Sequence, residues 1–219
     1  MNKNARIDQA CDRFKNIAVP TSYHYKQKFQ FLPSWLDNTS YSYEKEAKGH
    51  NPKRYYSFKR GTVIRVNFGV NLGSEFSNIH FAIVLDKHDA PQKRTLTVLP
   101  LTSKQKSNRF SLGSEIFNQT TILLGNMKDR LSKLAKESTS NQNFESSNNI
   151  DKAIQELDQV VKLYERYNKQ SYVRLSDITT ISKLRIERLN KYDPSGKIRL
   201  SNAQMAQISH ELMKLYLNK

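Results

Sequence analysis

Short apolar runs separated by polar loops occupy the middle of the chain. They are rich in β-branched and aromatic residues and lie at about residues 61–69, 80–86, 94–101, 109–117 and 171–182. Runs of this length, bounded by glycine, asparagine and serine, are typical of β-strands. The pattern predicts a small antiparallel sheet or barrel whose loops present polar side chains.

Three other stretches repeat apolar residues at helical spacing. Residues 4–18 predict a short amphipathic helix, and residues 118–170 predict two helices joined by a flexible tract of serine and asparagine at 137–149. The simplest arrangement of the two is an antiparallel hairpin projecting from the strands. Near the C-terminus, Ser201-Asn202-Ala203-Gln204 forms a capping box that begins a last helix, with Leu200 and Met205 placed to close a hydrophobic staple.

The N-terminal segment differs from the rest in composition. Pro20 and Pro33 interrupt it, and aromatic rings alternate there with lysines. Those rings either stack on bases or pack the segment onto the main domain, and we favour packing. The aromatic residues are Tyr23, Tyr25, Phe29, Phe31 and Trp35. A Gly-His-Asn-Pro turn then predicts a boundary, giving an extension at 1–52 and a domain at 53–219 interrupted by an insertion at 118–170.

Charge narrows the function classes. The 219 residues include 36 Lys and Arg against 20 Asp and Glu, a formal net charge of +16. Such an excess favours nucleic acid as a partner. The single cysteine, Cys11, excludes an intramolecular disulfide and a cysteine-based zinc site. No group of His, Asp or Glu residues has the spacing of metal ligands, so we expect no metal or other cofactor. No apolar segment approaches the length of a membrane span, so we expect a soluble cytoplasmic protein.

Four polar side chains lie where the predicted strands meet their loops. His80 is the leading acid–base candidate because an imidazole with a pKa of about 6.5 exchanges protons near neutrality. Thr102 and Ser103 can donate hydrogen bonds to phosphate oxygens, or satisfy their own turn. Arg174 can hold a phosphate with two parallel bonds. Removal of a 2′-hydroxyl proton, stabilisation of phosphate charge and protonation of the leaving oxygen would together cleave RNA.

The order of short motifs along these strands resembles the PemK/MazF family of toxin endoribonucleases. The motifs are Gly-Thr-Val at 61–63, Gly-Ser-Glu at 73–75, Ala-Ile-Val-Leu at 82–85, Leu-Thr-Ser-Lys at 101–104 and the strand-like run at 172–182. The resemblance implies an α+β fold: a small SH3-like antiparallel barrel with a C-terminal helix. Here that barrel would carry an inserted helical hairpin and an N-terminal helical extension.

The same resemblance implies an activity and partners. It implies a metal-independent endoribonuclease that cuts single-stranded RNA through 2′-hydroxyl attack, leaving 2′,3′-cyclic phosphate and 5′-hydroxyl ends. Such a toxin would be a homodimer and would pair with a cognate antitoxin. A non-catalytic nucleic-acid-binding or regulatory protein on the same barrel is the alternative, because His80 stands where many family members have an arginine followed by proline.

Site residues are carried over by position. His80, Thr102 and Arg174 are the expected catalytic residues. Ser176 stands where some family members have an aspartate, and Asp177 comes one residue later. Alternation along a strand would place Asp177 on the face opposite Ser176, so the role of that aspartate is not carried over. The expected substrate-binding residues are Ser74, Glu75, Ser103, Lys104 and Arg65.

Overall fold

The computed structural model describes residues 2–17, 27–140, 144–165 and 169–217. Helices and strands follow one another in a mixed order. The helices are α1 (Lys3–Ile17), α2 (Leu32–Ala47), α3 (Glu115–Ser140), α4 (Phe144–Glu165) and α5 (Asn202–Tyr216). The strands are β1 (Val63–Asn67), β2 (Ile79–Val84), β3 (Thr95–Thr102), β4 (Phe110–Gly113), β5 (Ser171–Val173) and β6 (Thr179–Ser182). None of the helices in these ranges is long and apolar enough to cross a membrane.

Strand β3 is the centre of one antiparallel sheet. One of its edges pairs with β2, which pairs with β1. Its other edge pairs with β6 along Thr95–Val98 and with β5 at Leu101 and Thr102, and β5 pairs with β4. The predicted α+β class with an antiparallel sheet is confirmed. Across the described strands the sheet is open, with β1 and β4 at the ends of the strand order, so it does not show the closed barrel of the sequence-based expectation.

Two predicted strands end earlier than their apolar patterns suggest. The fourth stops at Gly113, whose φ of 60° lies outside the strand region, and α3 begins two residues later. The run at 171–182 is two strands separated by a 3₁₀ turn at Leu175–Asp177. That turn is closed by a backbone hydrogen bond from Asp177 N to Arg174 O and by the ion pair of the same two side chains.

The core has one apolar layer on each face of the sheet. Because side chains alternate along a strand, Val63 and Ile64 of β1 enter different layers. The first layer, which contains Ile83 and Leu99, is covered by Met205 and Ile208 of α5. The capping box that begins α5 is present: Gln204 N donates to Ser201 Oγ at 3.2 Å, and Ser201 N donates to Gln204 Oε1 at 3.0 Å.

The two helices predicted within 118–170 are present as α3 and α4, and they pack against each other and against the sheet. Their seam is formed by Leu124 and Leu131 of α3 and Ala153, Leu157, Val160 and Tyr164 of α4. The predicted flexible tract at 137–149 is largely helical, since α3 reaches residue 140 and α4 begins at residue 144; residues 141–143 lie outside the described ranges. The expectation of a projecting hairpin is wrong, because Phe81 of β2 packs into the seam and Tyr164 Oη donates to buried Asp193 at 2.7 Å.

The N-terminal extension contains one predicted helix and one that the pattern missed. Helix α1 agrees with the prediction for 4–18, although Ala18 lies outside the described residues, as do Tyr23 and Tyr25. Helix α2 was missed because Pro33 looked like a helix breaker. Pro33 lies in the first turn, where the missing N–H is not needed.

A short segment of this extension contacts the loop between β1 and β2. Lys28 Nζ donates to the backbone oxygens of Asn71, at 2.5 Å, and Gly73, at 3.0 Å. The ring of Trp35 lies so close to Gly69 that a Cβ there would be 2.3 Å from Trp35 Nε1. The loop itself is held by Asn71, whose Nδ2 donates to the backbone oxygens of Phe68 and Phe76.

Gly69→Ala is expected to displace Trp35 and destabilise the protein. Gly69 has φ +85°, where a Cβ costs about 1–2 kcal/mol, and the clash with Trp35 adds to that cost. Gly73→Ala is the matched control, because Gly73 also has positive φ but has nothing within 4 Å of an added Cβ. Urea denaturation should show the larger loss for Gly69→Ala, with a red shift in the fluorescence of the only tryptophan. Equal losses and unchanged emission would contradict this packing.

Candidate functional site

The end of the sheet that carries His80 and Thr102 opens into a cavity of about 230 Å³. His80 is near the start of β2 and Thr102 is the last residue of β3, and antiparallel strands bring these two positions to the same end. Phe81, Ser103 and Lys104 also line the cavity on the sheet side. Its opposite wall comes from α3 and α4 and from the residues that follow α4: Ile116, Phe117, Thr120, Tyr164, Lys169, Gln170 and Ser171.

His80 packs against an aromatic ring and is influenced by the charge of a nearby arginine. The ring of Phe76 lies 4.4 Å from the imidazole, centroid to centroid. Burial lowers the pKa of His80 below its ordinary value, and the charge of Arg174 lowers it further, while a hydrogen bond to the backbone of Ser77 acts in the opposite direction. The imidazole is therefore neutral at neutral pH and able to accept a proton.

Arg174 contacts the same Phe76 ring. Its guanidinium carbon is 4.7 Å from the centroid of the Phe76 ring, a cation–π geometry. Its Nε pairs with Asp177, and Ser176 Oγ donates to the other carboxylate oxygen at 3.0 Å. The 3₁₀ turn makes this possible, so the expected separation of Asp177 from Ser176 on opposite strand faces is wrong. Asp177 orients the guanidinium, which a strand over 171–182 would not have allowed, because residues three apart in a strand point to opposite faces.

The turn after β3 presents hydroxyls and a cation at the cavity. Lys104 N donates to Thr102 Oγ1 at 3.2 Å, which fixes the threonine as an acceptor and leaves its O–H proton for another partner. Arg109 also closes this turn by donating to the backbone oxygen of Lys104. Ser103 and Lys104 are exposed and line the same cavity.

Three of the expected substrate-binding residues lie elsewhere. Ser74 and Glu75 are exposed in the β1–β2 loop and are not among the residues lining the cavity. Arg65 is largely buried and pairs with Glu187, Nη1 to Oε2 at 3.4 Å, on the outer side of β1. The structure thus brings His80, Thr102, Ser103 and Lys104 to one cavity, while Arg174 is not among its lining residues and contacts Phe76.

Sequence reasoning did not identify Phe76 or the hairpin residues of the cavity. Phe76 is an apolar residue in a polar loop, a signal that could have drawn attention to it. The hairpin side chains carry no such signal, because residues inside a helical pattern look like seam positions. Among the described residues no group of three or more His, Cys, Asp or Glu side chains could hold a metal ion.

The fold and the site together define the class of protein. It is an α+β protein with a histidine, a threonine and an arginine near one end of an open antiparallel sheet. Residues 59–139 match the family of the PemK-like, MazF-like toxin of type II toxin-antitoxin system. The match runs from before β1 through most of α3 and includes His80 and Thr102, so the resemblance to PemK/MazF toxins is confirmed for this part of the chain. A comparison with curated proteins found no match.

Proposed function

We propose that the protein is the toxin of a toxin–antitoxin pair and a metal-independent endoribonuclease for single-stranded RNA. One observation carries the proposal. His80 and Thr102 both belong to the segment that matches PemK/MazF toxins, and they line one cavity. A net charge of +16 supports a polyanionic substrate.

The proposed reaction assigns one task to each group. Neutral His80 takes the proton of the 2′-hydroxyl, whose oxygen attacks the adjacent phosphorus. The bond from phosphorus to the 5′ oxygen breaks, and that oxygen takes a proton from water. The products are a 2′,3′-cyclic phosphate and a 5′-hydroxyl. Thr102 Oγ1 donates to a non-bridging phosphate oxygen, and the guanidinium of Arg174 stabilises the extra negative charge.

Ser103 and Lys104 would bind flanking phosphates from the same turn. Ser74 and Glu75 would contact RNA only if the β1–β2 loop moves toward the cavity, and Arg65 would do so only if it left its ion pair with Glu187. An SH3-like homodimer acting in the cytoplasm, neutralised by an acidic antitoxin segment, completes the proposal, because complementary charge favours such a partner.

A non-catalytic nucleic-acid-binding protein is the second candidate. Phe76 favours it, because the ring lies against both His80 and Arg174 and limits their access to one phosphate. Incubation of purified protein with single-stranded RNA in EDTA decides between the two. Cleavage with 2′,3′-cyclic phosphate ends supports the nuclease, whereas retention of RNA without cleavage supports the binding protein. Cleavage that requires a divalent metal would contradict the proposed mechanism.

The pH dependence of cleavage should show the influence of Arg174 on His80. Because the neutral imidazole is the active form, kcat/KM should fall as pH drops through a lowered pKa of His80, below the ordinary histidine range. Arg174→Gln removes a charge that lowers this pKa, so the acid limb should move to higher pH. Its plateau should also fall by roughly 100-fold with the loss of charge stabilisation.

Arg130→Gln is the control for this experiment, since Arg130 is an exposed arginine on α3 outside the cavity. Its acid limb should coincide with that of the wild type. An Arg174→Gln profile with an unmoved acid limb would mean that His80 is not the group that titrates.

A further inference from the structure

Helices α3 and α4, with the residues after α4, form the wall of the cavity that faces His80 and Thr102. Ile116 and Thr120 of α3 are buried there, and the Thr120 hydroxyl is used internally, donating to Ile116 O at 2.7 Å. Tyr164 of α4 turns its hydroxyl away to Asp193. This wall therefore offers a mostly apolar surface to whatever enters the cavity.

Two phenylalanine rings line the cavity from opposite elements. Phe81 of β2 is fixed in place by Tyr164, with ring centroids 5.4 Å apart. Phe117 of α3 is half-buried and belongs to none of the three apolar clusters formed by the described residues. An aromatic side chain that is outside the core but lines a cavity is suited to stacking on a planar ligand.

A side-chain amide with a defined orientation lies at the rim. Tyr172 Oη donates to Gln170 Oε1 at 2.7 Å, so the carbonyl end of the amide is occupied. The two N–H donors on Nε2 remain for a ligand. Tyr172 is itself held in the sheet opposite Thr102, which places the amide beside the turn that carries the expected phosphate contacts.

We propose that the helical hairpin turns this cavity into a nucleobase pocket, in which Phe117 stacks on a base next to the scissile phosphate and Gln170 reads its edge. Single-stranded RNA is recognised by splayed bases that stack on aromatic side chains and form hydrogen bonds along their exposed edges. The donors on Gln170 favour an edge with a carbonyl oxygen, such as uracil O4 or guanine O6. This inference rests on the proposed ribonuclease function and makes the insertion a specificity element of the same site.

The test measures base preference and turnover separately. Wild type and variants are incubated in EDTA with RNA randomised around one cleavage region, and the new 5′-hydroxyl ends are sequenced. Phe117→Ala should lower kcat/KM by about 5- to 100-fold, the range expected for one lost stacking contact, and flatten the preference at one position. Gln170→Glu replaces donors with acceptors and should reverse the preference at that position by about tenfold, with cleavage retained.

Ile122→Ala is the matched control, because Ile122 is an exposed apolar residue of the same helix that does not line the cavity. Its cleavage pattern should equal that of the wild type. Unchanged base preference in both Phe117→Ala and Gln170→Glu would overturn the pocket while leaving the nuclease in place. Gln170 is exposed, so its variant remains informative if Phe117→Ala does not fold.

A binding measurement separates the pocket from the nuclease. Oligonucleotides with a 2′-deoxy sugar at the cleavage position cannot react, so their affinity depends on recognition alone. A base-dependent affinity that Gln170→Glu reverses would support the pocket even if wild type cleaves no RNA. Affinity that does not depend on the base would overturn it.

Discussion

Replacing His80 with alanine is expected to lower kcat/KM for RNA cleavage by roughly 100- to 10,000-fold, the usual contribution of a positioned general base. His80 is only partly buried at the mouth of the cavity, outside the sets of buried residues that form the core. The fold should therefore survive the substitution. Single-turnover cleavage of a fluorescent RNA in EDTA, with circular dichroism as a check on folding, measures the effect.

Two further variants give this experiment its meaning. His88→Ala is the matched control, since His88 is an exposed histidine beyond the far end of β2, and its activity should equal that of the wild type. His80→Arg restores the residue type expected from the family resemblance but supplies charge without a proton acceptor. Full activity in His80→Arg would show that position 80 acts through charge, and the base assignment would then be wrong.

Local sequence patterns predicted the secondary structure wherever a few neighbouring residues determine it. The alternation in β1 and β2 and the capping box of α5 depend on contacts within a few positions, and these elements formed near their predicted places. Helix α2 was missed because a proline is tolerated in the first turn of a helix but breaks its interior. Which of the two applies to Pro33 depends on where the helix starts, and that start depends on the packing of Leu32 and Trp35.

The open sheet and the docked hairpin depend on contacts between distant residues. A strand pattern predicts that a strand pairs with another, but not whether the two edge strands of the sheet pair to close a barrel. The apolar pattern of α3 and α4 likewise predicted that they pack together, but not which other part of the protein they contact. Phe81 and Tyr164 meet across more than 80 residues of sequence, and neither pattern contains that information.

The candidate site shows the same division. His80 and Thr102 were identified because they lie where predicted strands meet loops and match positions of the family motifs, whereas Arg65 was expected to bind substrate and instead pairs with Glu187. A basic residue on a strand can bind substrate or form an internal ion pair, and its sequence position does not distinguish the two. The hairpin wall was not predicted at all, because it exists only once the insertion packs on the sheet.

Asp193→Ala is expected to cost the protein about 3 kcal/mol of unfolding free energy and to detach the hairpin from the sheet. Asp193 is fully buried and accepts hydrogen bonds from Tyr164 Oη at 2.7 Å, Leu189 N at 2.8 Å and Ser195 N at 2.8 Å. Burial and the charge of Asp193 raise the pKa of Tyr164, so its hydroxyl remains a donor. Alanine removes the carboxylate that accepts these three hydrogen bonds, at about 1–3 kcal/mol for each buried donor that finds no other acceptor.

Urea denaturation with hydrogen exchange measures both effects. The midpoint should fall, and exchange should rise in α4 and in residues 189–196 before it rises in β1–β3, because the hairpin would open first. Asp158→Ala, which removes an exposed carboxylate from α4, is the control and should change the midpoint little. Tyr164→Phe should lie between the two, since it removes only one of the three donors. An unchanged midpoint, or exchange that rises in β1–β3 as early as it rises in α4, would contradict the anchoring of the hairpin by Asp193.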